Sequence, residues 1–221
     1  MKVTAEKLTN PDLLLRANKF TTGHDSNMSL AKAYRFGHSP IRTQEFWIEC
    51  TDIPLFVASQ FVRSHVGVQF FQRSKRPDRG GADFRKECET LAERAGTIFA
   101  TGTDFAIEYE HRSVTADNIR LLPREFDRYA PTDLAFIINA EALINLSHKR
   151  LCGKASKETR EVFAMIMEAV SKCDPDLAKH FVATCVFRNG ICPEPNSCKW
   201  IKSKLGQSRL KEYQQLMKYE E

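Results

Sequence analysis

"LAFIINAEALINLSHKRLCGKASKETR", residues 134–160, is the stretch on which the reading of the fold turns. Its first part, 134–151, is apolar and rich in helix formers, and it reads as a helix entering a core. On such a helix Asn139, Ala142, Asn145 and Lys149 fall near one face, with Leu143, Leu146 and Arg150 alongside. An amide buried without a partner costs about 1–3 kcal/mol, so two asparagines on a largely apolar helix call for a neighbouring helix or a ligand with many acceptors. Both remain open at this point. A second helix follows from Ser156 to Val170, with Val162, Ile166 and Val170 turned inward.

Upstream, "TQEFWIECTDIPLFVASQFVRSHV" (43–66) begins as a strand in which Phe46, Ile48 and Cys50 alternate. A turn is expected at Asp52–Pro54, and then Leu55, Val57, Ala58, Phe61 and Val62 recur at helical spacing. "VGVQFFQ" has strand composition. "RPDRGGADF" is the strongest loop signal, and Ala82 to Phe99 forms an amphipathic pattern through Phe84, Cys88, Leu91, Ala92, Ala95 and Ile98. "TDFAIEYEH" alternates as a strand, "TADNIRLLPREFDRYAPTD" is a polar connection, and "QSRLKEYQQLMKYEE" is a polar amphipathic helix or tail. The elements point to an α/β (α+β) fold with a mixed sheet and long helices.

The chain has 221 residues, a length that favours one domain over two. We take 1–221 as a single domain carrying a cysteine-containing C-terminal extension over 180–221. With 42% hydrophobic and 28% charged residues the composition is that of a globular protein. No window approaches the roughly 18 unbroken apolar residues of a membrane helix. "MKVTAEKLTNPDLLL" lacks the pattern of a secretory signal, so a cytoplasmic protein without a membrane partner is expected. Thirty-three Lys and Arg against 28 Asp and Glu give a net charge of +5, an excess that suits an anionic small molecule and does not call for nucleic acid.

"FVRSHVGVQFFQRSKRPDR" (61–79) concentrates basic and hydroxyl side chains among apolar ones. Guanidinium forks with a hydroxyl beside them hold phosphate oxygens well, and a solvated basic loop explains the same residues. Together with 139–160 the stretch resembles the flavin-dependent thymidylate synthases, and within them the divergent, phage-type members. "FVASQFVR", then a His, then "QRSKR" is similar to a signature in which Arg-His-Arg precedes a Ser and a closing Arg. Asn139, Asn145, Arg150, Ala155, Glu158 and Arg160 stand at the spacing of that family's second segment, and the resemblance runs from about Ser39 to Glu194.

The resemblance implies a homotetramer with FAD and a deoxyuridine monophosphate at subunit junctions. It implies methylation of the uracil C5 with methylenetetrahydrofolate as carbon donor and NADPH as reductant, without attack by a cysteine. Arg63, His65 and Arg150 would carry the catalytic work. Gln60, Gln72, Ser74, Arg76, Arg120 and Arg150 would hold the nucleotide, and Arg63, His65, Asn139 and Asn145 the flavin. Two departures bear on the chemistry. Ser64 either replaces the motif His, with His65 for the second Arg, or is an insertion that makes His65 the motif His. Gln72 stands where relatives carry Glu, and Ser156 where they carry Gln. Hydroxymethylation, action on dCMP, and a non-catalytic nucleotide- or nucleic-acid-binding relative therefore remain as alternatives.

Seven cysteines in a reducing compartment are expected as thiols. His180, Cys185, Cys192 and Cys198 offer four soft ligands, but without the close Cys-x-x-Cys pairs that mark zinc sites. No metal is assigned from the sequence. Glu108, Glu110 and His111 fit an exposed strand end, and His24, His38 and His148 read as surface or packing residues.

Overall fold

The computed structural model describes residues 1–73, 128 and 130–218, together with the course of three short strands between 98 and 114. Ser74, Arg76 and Arg120, the loop read over 76–84, most of the helix read over 82–99 and residues 115–127 of the connection read over 115–133 lie outside the described residues, while the end of that connection, Pro131–Asp133, opens a strand instead. Ile98 and Phe99, expected to end that helix, begin a strand instead.

Strands β1 (Lys2–Lys7), β2 (Glu45–Pro54), β3 (Val68–Gln72) and β7 (Pro131–Asn139) form a sheet in the order β1-β2-β7-β3, and helices α1 (Asp12–Thr22) and α2 (Leu30–Phe36) lie between β1 and β2 in the chain. β4 (Ile98–Thr101), β5 (Asp104–Tyr109) and β6 (Arg112–Val114) form a second, three-stranded sheet. The α/β class holds, but each described pairing is antiparallel where the sequence led us to a mixed sheet. Alternation is the reason: Phe46, Ile48 and Cys50 are buried while Glu45 and Glu49 are exposed, the pattern of an antiparallel sheet with only one face on the core.

The stretch 134–151 is not one helix. Thr132, Leu134, Phe136 and Ile138 are buried and Asp133, Ala135, Ile137 and Asn139 half-buried, a period of two. β7 is flanked by β2 and β3, so its outer residues are partly covered too, and the polarity contrast that marks an edge strand is lost. Helix α4 (Ala140–Arg150) starts only at Asn139, whose backbone is still extended and whose Oδ1 accepts the Ala142 N–H at 2.9 Å.

The turn expected at Asp52–Pro54 is a bulge inside β2. Cys50 pairs with Leu134 and Ile53 with Thr132, so one strand spends an extra residue. Asp52 sits at φ 56° and donates its N–H to Asp133 Oδ1 at 2.9 Å. Helix α3 (Leu55–Phe61) follows at once, as its spacing predicted.

Above the buried face lies helix α5 (Lys157–Cys173), capped by Ser156, with Val162, Ile166 and Val170 fully buried as expected. Phe61 packs between Phe136 and Phe163, with ring centroids 6.3 Å from each. A smaller cluster of Val182, Val186, Ile201, Leu210 and Tyr213 joins the C-terminal helix Lys204–Met217 to the residues around 182–186.

One buried carboxylate ties the N-terminal half to the end of α5. Asp174 accepts Lys7 Nζ at 2.7 Å and the Tyr34 hydroxyl at 2.7 Å, and takes the Leu177 N–H at 3.0 Å. Burial, then the Asp174 bond, raises the Tyr34 hydroxyl far above its ordinary value, so it stays a donor. Asp174→Ala strands an ammonium and a hydroxyl, and urea titration should show a loss of about 3–5 kcal/mol. A loss below about 1 kcal/mol would contradict this network.

Gly67 precedes β3 at φ 72°, and a Cβ there would stand 2.4 Å from Asn139 Nδ2. Asn139 cannot yield without leaving its cap. Gly67→Ala should therefore lower the melting temperature by roughly 2–8 °C, read by calorimetry. An unchanged transition would show that the two segments do not meet this closely.

Candidate functional site

Three segments converge on one cavity of about 530 Å³: the 3-10 turn Ser39–Thr43, the residues between α3 and β3, and the first turns of α4. The second segment is short because α3 ends at Phe61 and the chain must reach β3 at Val68. Ser64 N–H closes a turn onto the Phe61 carbonyl at 3.0 Å, and the Gly67 carbonyl accepts the Asn139 N–H at 3.0 Å. These two bonds hold the wall carrying Arg63, Ser64 and His65 against the start of α4.

Arg63, His65, Asn139 and Asn145 all line this cavity, so the four residues expected to hold the flavin are brought together. Asn139 reaches it from the cap rather than from within a helix. Asn145 is exposed on the next turns, so its amide needs no protein partner, contrary to the buried pair expected from an apolar helix. Sequence reasoning missed Arg42 and Glu141. Arg42 Nε donates to Glu141 Oε2 at 2.7 Å and its Nη2 to Oε1 at 3.2 Å across 99 positions of sequence, a separation no local pattern reveals. Lys149 lines the same cavity.

Two of the expected nucleotide residues, Gln60 and Arg150, meet next to this cavity. Arg150 Nη1 donates to Gln60 Oε1 at 3.2 Å and its Nη2 to the Gln60 carbonyl, while its Nε is buried with no partner. Burial, then the charge of Arg63, draws the Arg150 guanidinium below its ordinary pKa. Among the described residues no carboxylate pairs with either guanidinium. Two adjacent cations without a counter-charge favour an anion between or beside them. Lys149 lines both hollows and so links them.

Gln72 is not part of this group. It lies at the exposed end of β3 and lines a third hollow with Glu49, Arg73 and Asp133, where Arg73 Nη1 meets Asp133 Oδ2 at 3.0 Å. Bonded first to the Asp52 N–H and then to Arg73, Asp133 titrates below the usual carboxylate range. His148 is a packing residue, stacked on Phe187 with centroids 4.2 Å apart, and burial draws its pKa to about 4. It is neutral at physiological pH. His180 is likewise buried, edge-on to Tyr34, and does not approach the C-terminal cysteines' cavity. No helix among the described residues is long and apolar enough to cross a membrane.

Two solved structures share this architecture. Thymidylate synthase X from Helicobacter pylori with FAD and dUMP aligns with a TM-score of 0.53 at 17% identity, covering 82% of this chain and 97% of that one. The flavin-dependent thymidylate synthase from Helicobacter pylori complexed with FAD and dUMP gives 0.52 at 16% identity, over 82% and 98%. At such identities the likeness establishes the fold alone. No curated protein matches the chain. The model of the family described as thymidylate synthase complementing protein matches residues 16–176, more than half of the sequence, including α3, α4 and α5. The chain therefore belongs to that family, the flavin-dependent thymidylate synthases.

Proposed function

We propose that the chain binds FAD in the cavity of Arg63, His65, Asn139 and Asn145, and methylates dUMP to dTMP with methylenetetrahydrofolate and NADPH. The observation that carries this reading is the convergence of those four side chains on one cavity, with Arg150 beside Arg63 and no carboxylate paired with either among the described residues. The residues fit the groups they would hold. The Asn145 amide is exposed and offers both donors and acceptors to the polar edge of a flavin. Gly67, with no side chain, keeps the Asn139 amide uncovered on the cavity wall.

When bound, the flavin supplies the electrons that reduce the transferred carbon to a methyl. The protein binds and polarises. Arg150, fixed through Gln60, presents a half-buried guanidinium whose Nε–H donates to no acceptor among the described residues, so it can stabilise negative charge on a pyrimidine oxygen or phosphate. Arg63 adds a second positive charge nearby, and stronger binding of the more anionic state lowers the barrier to addition. Ser74, Arg76 and Arg120 are proposed to complete the phosphate contacts, and a homotetramer is the assembly in which we expect the site to act.

A second reading, transfer of a hydroxymethyl group or action on dCMP, is favoured by Ser64, a neutral residue in the cavity wall between Arg63 and His65. Incubation with FAD, NADPH, methylenetetrahydrofolate and either dUMP or dCMP, followed by mass spectrometry, separates the readings. We expect a product heavier than dUMP by one methylene unit. A hydroxymethyl mass would favour the second reading, and colourless protein unchanged by FAD would remove the enzyme reading. Arg150→Ala should weaken dUMP binding about 10- to 100-fold in calorimetric titration, the worth of a lost charge-assisted bond. Unchanged affinity would place the nucleotide elsewhere.

A further inference from the structure

Beyond the last turn of α4 lies a cavity of about 260 Å³ whose lining includes Cys152, Cys185, Cys192 and Cys198, four of the seven cysteines in the chain. They come from separate places. Cys152 lies in the turn after α4, held by the Ala155 N–H on its carbonyl at 2.9 Å. Cys185 lies in the short helix Thr184–Phe187. Its carbonyl accepts the Gly190 N–H at 2.8 Å, which folds the chain back so that Cys192 returns to the same hollow. Cys198 arrives from 46 positions beyond Cys152 in sequence, yet its Sγ stands 2.8 Å from where a Cβ on Gly153 would be. Only a glycine beside Cys152 lets that sulfur approach.

All four are free thiols, and all four line the same hollow. Four thiols from three chain segments meeting in one small hollow are not what packing alone requires. Such a set is the donor chemistry of a soft divalent cation, which prefers sulfur and a tetrahedral shell. The surrounding charge suits it. A divalent cation with four thiolates carries two negative charges, and Lys149, Arg150 and Lys154 line the hollow against one carboxylate, Glu194.

The geometry points to a tetrathiolate site for a zinc-class divalent cation formed by Cys152, Cys185, Cys192 and Cys198, binding the C-terminal segment to the end of α4. Sequence spacing offered His180 as the fourth ligand. The fold sets His180 in the core beside Tyr34 and puts Cys152 in its place. Among the described residues no group of three or more His, Cys, Asp or Glu stands arranged to hold a metal ion, so the proposal requires that the cation draw the four thiols together. Closure draws the sulfurs to about 3.8 Å from one another, the spacing set by tetrahedral Zn–S bonds of about 2.3 Å. The segment 188–199, which contains no helix or strand, can take up the movement. Binding replaces four S–H bonds with four S–Zn bonds and releases four protons to solvent, with no change of oxidation state.

The test uses the full chain, purified under reducing conditions, and is independent of flavin or nucleotide. Zinc content after dialysis against zinc and then buffer should be about one per chain. Cobalt(II) should give the sulfur-to-metal charge-transfer and intense visible bands of a tetrahedral thiolate site. Cys192→Ser and Cys198→Ser should each abolish those bands. The proposal is overturned if dialysed protein retains no metal, if cobalt binds without thiolate bands, or if the bands persist in both variants. A mass short by two hydrogens per cysteine pair, showing a disulfide in the reduced preparation, would also overturn it. The wild-type cobalt spectrum decides the question even if a variant fails to fold.

Discussion

Asn139 does two jobs at one point in the chain, and the site depends on both. Its backbone N–H bonds the Gly67 carbonyl, fixing the entry of β3 against the end of the central strand, while its Oδ1 caps α4. A helix whose first N–H groups are met by its own cap starts at a defined residue and in a defined direction. Everything on α4 is aimed from there. Asn145 and Lys149 face the large cavity, Leu143 and Leu146 enter the core, and Arg150 ends the helix beside Gln60. The basic segment 62–67 is placed by the same residue from the other side.

The electrostatics follow from this placement. The chain's excess of positive charge is modest, but α4 carries Lys149 and Arg150 in its last turn, where cations also suit the helix dipole. Burial makes the charge on Arg150 costly, and Arg63 adds to that cost. Two such groups kept adjacent, with no carboxylate paired to either among the described residues, hold a standing preference for an anionic ligand. Glu141, at the other end of the helix, is engaged by Arg42 and does not neutralise them.

Local patterns were legible where polarity alternated clearly. β2 and α5 were readable because half their residues face water, and the inward sets Phe46-Ile48-Cys50 and Val162-Ile166-Val170 are those found in the core. The run 134–151 misled for the opposite reason: strand and helix follow one another with no polar break, and only Asn139 marks the boundary. The bulge at Asp52 looked like a turn because a residue at positive φ beside Pro54 carries turn chemistry in either setting. Of the site, Arg63, His65, Asn139 and Asn145 were found through a two-segment motif rather than through periodicity. Arg42, Glu141 and the company of Cys152 with the C-terminal cysteines arise from contacts distant in sequence, and no local signal announces them.

The bonds at Asn139 join two segments distant in sequence in the wall of one cavity. Hydrogen–deuterium exchange with and without FAD tests this joining most directly. FAD binding should slow exchange at residues 63–68 and at the first turns of α4, both together. FAD binding that leaves both segments unchanged, or protects only one of them, would contradict it.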